Sequence, residues 1–210
     1  GGKAEGCGDA GFPTLTAEDG HALNVGSLCV ECRQQGTTRI LPSTIPWFGR
    51  VVVMSFSCPH CGLSNSEVQS AAEIQPLGHR VTLSGATGND VNRQVIRTRY
   101  ATITVPEIEL EMPATPGGGV LTTVEGLLRR AADDLSMLQE ERRAVAPEQA
   151  AAIDRVVASL RTFASNESVT PFTLIVDDPS GNSQIEGGVE EALIKRESYP
   201  RTQEQNDALG

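Results

Sequence analysis

Aromatic side chains are scarce: Phe, Tyr and Trp make up 4% of the 210 residues. The core must therefore be built from Val, Ile, Leu and Ala, without the large rings that dominate many interiors. Histidine is also rare, with only His21, His60 and His79 and no His-x-Asp or His-x-Glu pair. That excludes the two-histidine, one-carboxylate centre of iron oxygenases. No Gly-x-Ser-x-Gly elbow appears, so the usual hydrolase nucleophile is missing too. A binding protein rather than an enzyme is expected, with no catalytic residue. Basic residues are outnumbered, 17 Lys and Arg against 27 Asp and Glu, giving a net charge of −10 and a pI of about 4.8. Such a surface repels phosphate backbones, so nucleic acid is a disfavoured partner. No apolar run approaches the roughly 18 residues of a membrane-spanning helix, so no membrane role is expected.

Cysteine is sparse as well. The five cysteines do not suit a disulfide-stapled secreted scaffold. The first residues lack a basic start followed by an apolar core, so no secretory signal is expected. A reducing cytoplasm or nucleus is the expected compartment. Residues 1–20 are Gly-rich and weakly patterned, which predicts a flexible leader holding Cys7 as a free thiol.

What is present is a spacing. Cys29-Val30-Glu31-Cys32 is followed after 25 residues by Cys58-Pro59-His60-Cys61. Two tight knuckles aim four thiolates at one ion, which suits tetrahedral zinc. Gly62 supplies the residue that tolerates positive φ after the second pair. Between the pairs, Ile40 and Leu41 predict one strand and Val51 through Phe56 another, with Pro42, Pro46 and Gly49 marking the turn. Strand, turn and strand with a knuckle at each end is a zinc ribbon. The competing reading makes Cys58-Pro-His-Cys61 a thiol-disulfide redox centre. It needs a helix directly after the pair, where "GLSNSEVQS" offers a polar turn, and it leaves Cys29 and Cys32 unexplained. His60 sits inside its knuckle and is not needed as a ligand. Four sulfurs close the coordination sphere, so the metal is structural.

Beyond the ribbon, "GHRVTLS" and "VNRQVIRTRYATITVPEIELEMP" alternate with period two and predict strands. Leu121, Val124, Leu127, Leu128, Ala131, Leu135 and Leu138 then recur at helical spacing, with Thr122 and Glu125 as a capping box. "QEERR" leads to a turn, and Pro147 opens a second helix whose stripe runs from Ala150 through Ile153 to Phe163. Phe172, Leu174 and Val176 alternate in a closing strand, and "DDPSGNS" carries turn chemistry. The prediction is a mainly β chain with an α insertion: a zinc ribbon over residues 21–75 and a β-domain over 76–198. A helical hairpin is inserted at about 121–165.

These residues resemble the ZPR-type zinc-finger family. The resemblance runs through "SLCVECRQQGTTRILPSTIPWFGRVVVMSFSCPHCGLSNSEVQSAAEIQ", "DDPSGNSQIEG" and "YPRTQEQNDALG". It implies zinc on Cys29, Cys32, Cys58 and Cys61, and a ribbon like that of translation initiation factor two beta. It also implies that the β-domain is a double-stranded β-helix with the hairpin inserted. The family carries two such modules in tandem, so this chain is expected to be a fragment, with residues 199–210 starting the linker to a second module. The implied function is binding of translation elongation factor 1-alpha and help in its folding. A link to growth-factor receptor tails and nuclear entry is implied as well. The candidate partner-binding residues are Arg39, Ile45, Trp47, Phe48, Asp178 and Asn182, the aromatic pair because aromatics anchor interfaces. A nucleic-acid reading would use Arg39, Arg50, Arg80, Arg93, Arg97 and Arg99, which solvated strand edges explain equally well.

Overall fold

The computed structural model describes residues 22–45, 49–70, 73–114, 119–187 and 191–210. The leader with Cys7 and the ribbon-tip residues Trp47 and Phe48 lie outside the described residues.

The first unit is a four-stranded antiparallel sheet of β1 (Leu23–Leu28), β2 (Gln35–Ile45), β3 (Gly49–Ser57) and β4 (Ser64–Ser70), paired in chain order. Pro42 does not turn the chain. It lies within β2, opposite Val52 of β3. The ladder between β1 and β2 ends at Ile40, so among the described residues no strand pairs with Pro42 on that flank, an edge position that suits proline. Among the described residues of this unit, Val51, Cys29 and Cys58 are the buried apolar side chains. Gly36 is required because a Cβ there would lie 2.5 Å from the Phe56 ring and 2.8 Å from the Ser57 carbonyl.

The second unit begins with β5 (Gly78–Ala86), β6 (Gln94–Arg97), β7 (Thr102–Val105), β8 (Leu110–Met112) and β9 (Val120–Thr123). Three helices follow, α1 (Val124–Ser136), α2 (Gln139–Val145) and α3 (Pro147–Phe163). The chain returns through β10 (Phe172–Asp178), β11 (Gln184–Ile185) and β12 (Ile194–Tyr199), and ends in α4 (Gln203–Leu209). The strands wind between two sheets, ordered β12-β5-β10-β7-β8 and β11-β6-β9. Val81, Leu83, Ile103 and Val176 from one sheet share a core with Val95 and Ile185 from the other. This is the double-stranded β-helix arrangement, with the helices inserted between β9 and β10. A bulge in β5, where Gly85 takes φ 68°, shifts the register against Phe172 and Leu174.

The insertion differs from the predicted two-helix hairpin in detail. Thr123, not Thr122, caps α1 by accepting from the Gly126 N–H at 3.1 Å, and Leu121 belongs to β9. "QEERR" is helical, within α2. Leu138 leaves the apolar stripe: it takes φ 60° and is 65% exposed. Arg142 ends α1 there, its Nη1 donating to the carbonyls of Leu135 at 2.7 Å and Met137 at 2.9 Å. Pro147 does begin α3 at its first turn. Leu128, Ala132 and Leu160 are fully buried, and Phe163 stacks on Phe172 with ring centroids 5.0 Å apart. That stack fastens the hairpin to β10.

The two units are joined at the turn after β10. The Gln75 N–H donates to the Ser180 carbonyl at 2.9 Å. Asn182 Nδ2 donates to the Glu73 carbonyl at 3.2 Å, and Arg201 Nη1 reaches the carbonyls of Gln75 and Pro179 at 2.6 and 3.0 Å. Residues 199–210, expected as the start of a linker, thus complete β12, lock this junction and form α4. Gly181 has φ 79°, and a Cβ there would stand 2.6 Å from Gln75 Cβ. Only glycine fits.

Candidate metal centre

The two knuckles have the same backbone. In the first, the Cys29 N–H donates to the Gln34 carbonyl at 2.9 Å and the Arg33 N–H to the Cys29 carbonyl at 3.0 Å. In the second, Cys58 pairs with Leu63 at 2.8 Å and Gly62 with Cys58 at 3.0 Å. Each loop closes through a residue of positive φ, Arg33 in one and Gly62 in the other. Because β1, β2, β3 and β4 pair in register, both loops emerge at one end of the sheet and their sulfurs converge.

All four sulfurs lie within 4.8 Å of one another. The close pairs bridge the knuckles, Cys29 to Cys61 at 3.6 Å and Cys32 to Cys58 at 3.5 Å. Four sulfurs at about 2.3 Å from a tetrahedral zinc stand about 3.8 Å apart, so the donor set fits the ion. The acid–base chemistry also calls for a cation. The amides of Cys61 and His60, with the neighbouring thiols, hold Cys58 at about 6 against the effect of burial. The Gln34 amide favours the Cys32 thiolate, but burial and the sulfurs of Cys58, Cys61 and Cys29 outweigh it and push that thiol up to about 12. The Cys58 thiolate forms readily while the Cys32 and Cys61 thiols resist ionisation, until a divalent ion neutralises the group.

This geometry does not favour the redox reading. The four described cysteines are free, the close sulfur partner of Cys58 is Cys32 rather than Cys61, and a strand, β4, follows the pair where a redox centre needs a helix. His60 is exposed and stands outside the sulfur cluster.

The other candidate residues do not gather at one place. Arg39 is exposed on β2 beside Asn24 and Ser55, and Ile45 ends β2 opposite Gly49. Asp178 is fully buried. The alternation of β10 that buries Phe172, Leu174 and Val176 carries it inward. Its carboxylate accepts from the N–H groups of Ser180, Asn182 and Ser183 at 2.8, 3.1 and 2.7 Å, and from the hydroxyls of Thr98, Ser180 and Ser183. It organises the turn and has no surface to offer a partner. Asn182 is committed to Glu73 and Gln75. The arginines of the nucleic-acid reading are dispersed in the same way: Arg93 is buried against Asp90 at 2.8 Å, and Arg80 pairs with Asp177. The junction residues Gln75 and Arg201 escaped sequence reasoning, although Gly181 within a polar turn was a signal that something packs there.

Site and fold together define a structural zinc ribbon coupled to a jelly-roll domain. Comparison with known proteins agrees: residues 24–76 match a family model described as the ZPR1 zinc-finger domain, and residues 89–210 match one described as the ZPR1 jelly-roll domain. The chain is 43% identical over 205 residues to the mouse zinc finger protein ZPR1, covering 95% of this chain and 44% of that protein. It is 43% identical over 208 residues to the zinc finger chaperone zpr1 of Schizosaccharomyces pombe, covering 97% of this chain and 44% of that one. A ZPR1-like protein of Methanocaldococcus jannaschii is 30% identical over 180 residues, 84% of this chain and 88% of its own length. The chain belongs to the ZPR1 zinc-finger family. It spans under half the length of the mouse and Schizosaccharomyces pombe proteins and nearly all of the archaeal one.

Proposed function

We propose that this chain is a zinc-held module that binds translation elongation factor 1-alpha and assists its folding. A chaperone-type, protein-binding role follows from the family, one of whose members is named a zinc finger chaperone. The choice of client rests on the resemblance drawn from the sequence. One structural observation supports a protein client: Leu28 and Val30, on either side of Cys29, are 72% and 84% exposed, with Val25 of β1 also exposed. Apolar side chains held out beside a rigid metal knuckle suit a protein surface. The four-thiolate centre has no open coordination position, which supports binding rather than catalysis. The proposal includes the cytoplasm and nucleus as compartments and a growth-factor receptor tail as a second partner.

Calorimetry with purified elongation factor 1-alpha tests the reading. The zinc-loaded chain should bind, and a Leu28→Ser/Val30→Ser variant should bind about tenfold more weakly, about 1.4 kcal/mol, with its zinc retained. Equal binding by both would remove this face from the interface. Retention on heparin at physiological salt would turn the assignment toward nucleic acid.

A further inference from the structure

We propose that the cavity bounded by β6, β9 and α1 is a binding site for a phosphate monoester. The cavity has a volume of about 240 Å³ and its lining includes Arg97, Met112, Thr122, Leu127, Arg130 and Asp134. That is several times the ~30 Å³ of a water molecule, room for a phosphate and the group that carries it. Two guanidinium groups face this space in a chain whose net charge is −10.

Arg97 is fixed by carbonyl groups alone. Its Nε and Nη2 donate to the Ala101 carbonyl at 3.2 Å each, and Nη2 also donates to the Pro113 carbonyl at 2.6 Å. These bonds set the plane of the fork and leave Nη1 without an acceptor among the described residues. No carboxylate among the described residues neutralises the charge. Burial, and then the Arg130 charge, push the Arg97 pKa down, as expected of two like charges sharing one space. Arg130 makes no hydrogen bond or ion pair among the described residues. Asp134 follows one turn later on α1 yet does not pair with it. Gly126 also lines the cavity, and a Cβ there would lie 2.4 Å from Thr122 Oγ1. A planar fork held rigid beside a second, unpaired guanidinium matches a tetrahedral oxyanion, which accepts from both. An ester is favoured over a bare ion because Met112 and Leu127 supply an apolar wall beside the charges.

The test is a titration of the zinc-loaded chain with inorganic phosphate and, separately, with O-phosphoserine at constant ionic strength. It is read by calorimetry and by the Arg97 Nε–H resonance. Saturable binding that moves this resonance is expected, weakened about tenfold by Arg130→Gln and unchanged by Arg99→Gln, which lies outside the cavity. Tighter binding of O-phosphoserine than of inorganic phosphate is expected, and equal binding of the two would overturn the choice of a monoester. Unsaturable shifts, or the same affinity in Arg130→Gln, would overturn the proposal.

Discussion

Arg33 and Gly62 occupy the same position in the two knuckles, with φ of 56° and 77°. Each donates its N–H to the carbonyl of the first cysteine in its loop, at 3.0 Å in both. One knuckle thus carries its left-handed residue on glycine and the other on an arginine with a Cβ. Gly62→Val should lower stability by ~1–2 kcal/mol, even though nothing lies within 4 Å of the added Cβ. Arg33→Gly should cost nothing or raise the melting temperature. Equal losses in the two variants would show that the conformation is not what matters.

Removing one thiolate should dissolve the ribbon. Cys58→Ser should lose the metal, and Cys7→Ser should keep it. Metal analysis with circular dichroism decides this, and a metal-free Cys58→Ser ribbon that stays folded would contradict a structural role for zinc.

Asp178 has no exposed surface and accepts from six donor groups, the N–H groups of Ser180, Asn182 and Ser183 and the hydroxyls of Thr98, Ser180 and Ser183. Asp178→Asn places an amide among donors and should cost about 3 kcal/mol or more in denaturant titrations. Gly181→Ala should cost at least ~1–2 kcal/mol through backbone strain alone. It should also expose the 73–77 segment to proteolysis, because the new methyl group displaces Gln75. Cleavage unchanged from the parent would mean that this turn does not hold the two units together.

The inserted hairpin should depend on its buried stripe. Leu128 is fully buried and Ile153 is partly buried against the same core. Leu128→Asp should lose more than about 4 kcal/mol, and Ile153→Asp less. Leu138→Asp, at an exposed position, should melt like the parent.

His79 gives a pH dependence. Burial, then the charge of Arg196, lower its folded pKa below 6.5, with Asp178 opposing them. Its Nε2 is buried without a hydrogen-bond partner among the described residues. The unfolded chain therefore binds the proton more tightly, and stability is lost as pH falls through about 6.5. The fall between pH 7 and 5 should be smaller in His79→Gln. Zinc release in acid is common to both proteins and cancels in the difference.

Local chemistry made much of this legible. The Cys spacing alone located the metal centre, because knuckle geometry is set within four residues. The period-two pattern of Phe172, Leu174 and Val176 located β10, and continuing it by one step would have buried Asp178. Pro147 marked the start of α3. Tertiary context decided the rest. Pro42 reads as a turn until the β1–β2 ladder is seen to end at the Leu23–Ile40 pair. Leu138 fits a helical stripe until Arg142 is seen to end α1 before it. The junction pairs Asn182 with Glu73 across 109 positions, and no sequence periodicity reports such a contact. The path of the strands between two sheets came from the family resemblance and not from the pattern.

A metal-held ribbon that presents a protein-binding face is the central claim, and one paired measurement tests it most directly. Elongation factor 1-alpha is titrated calorimetrically with the zinc-loaded chain and with Cys58→Ser, each checked for zinc content. Saturable binding is predicted for the chain holding one zinc, with a loss of at least about tenfold, 1.4 kcal/mol, in the metal-free variant. No binding by the zinc-loaded chain, or equal binding by the variant without zinc, would contradict it.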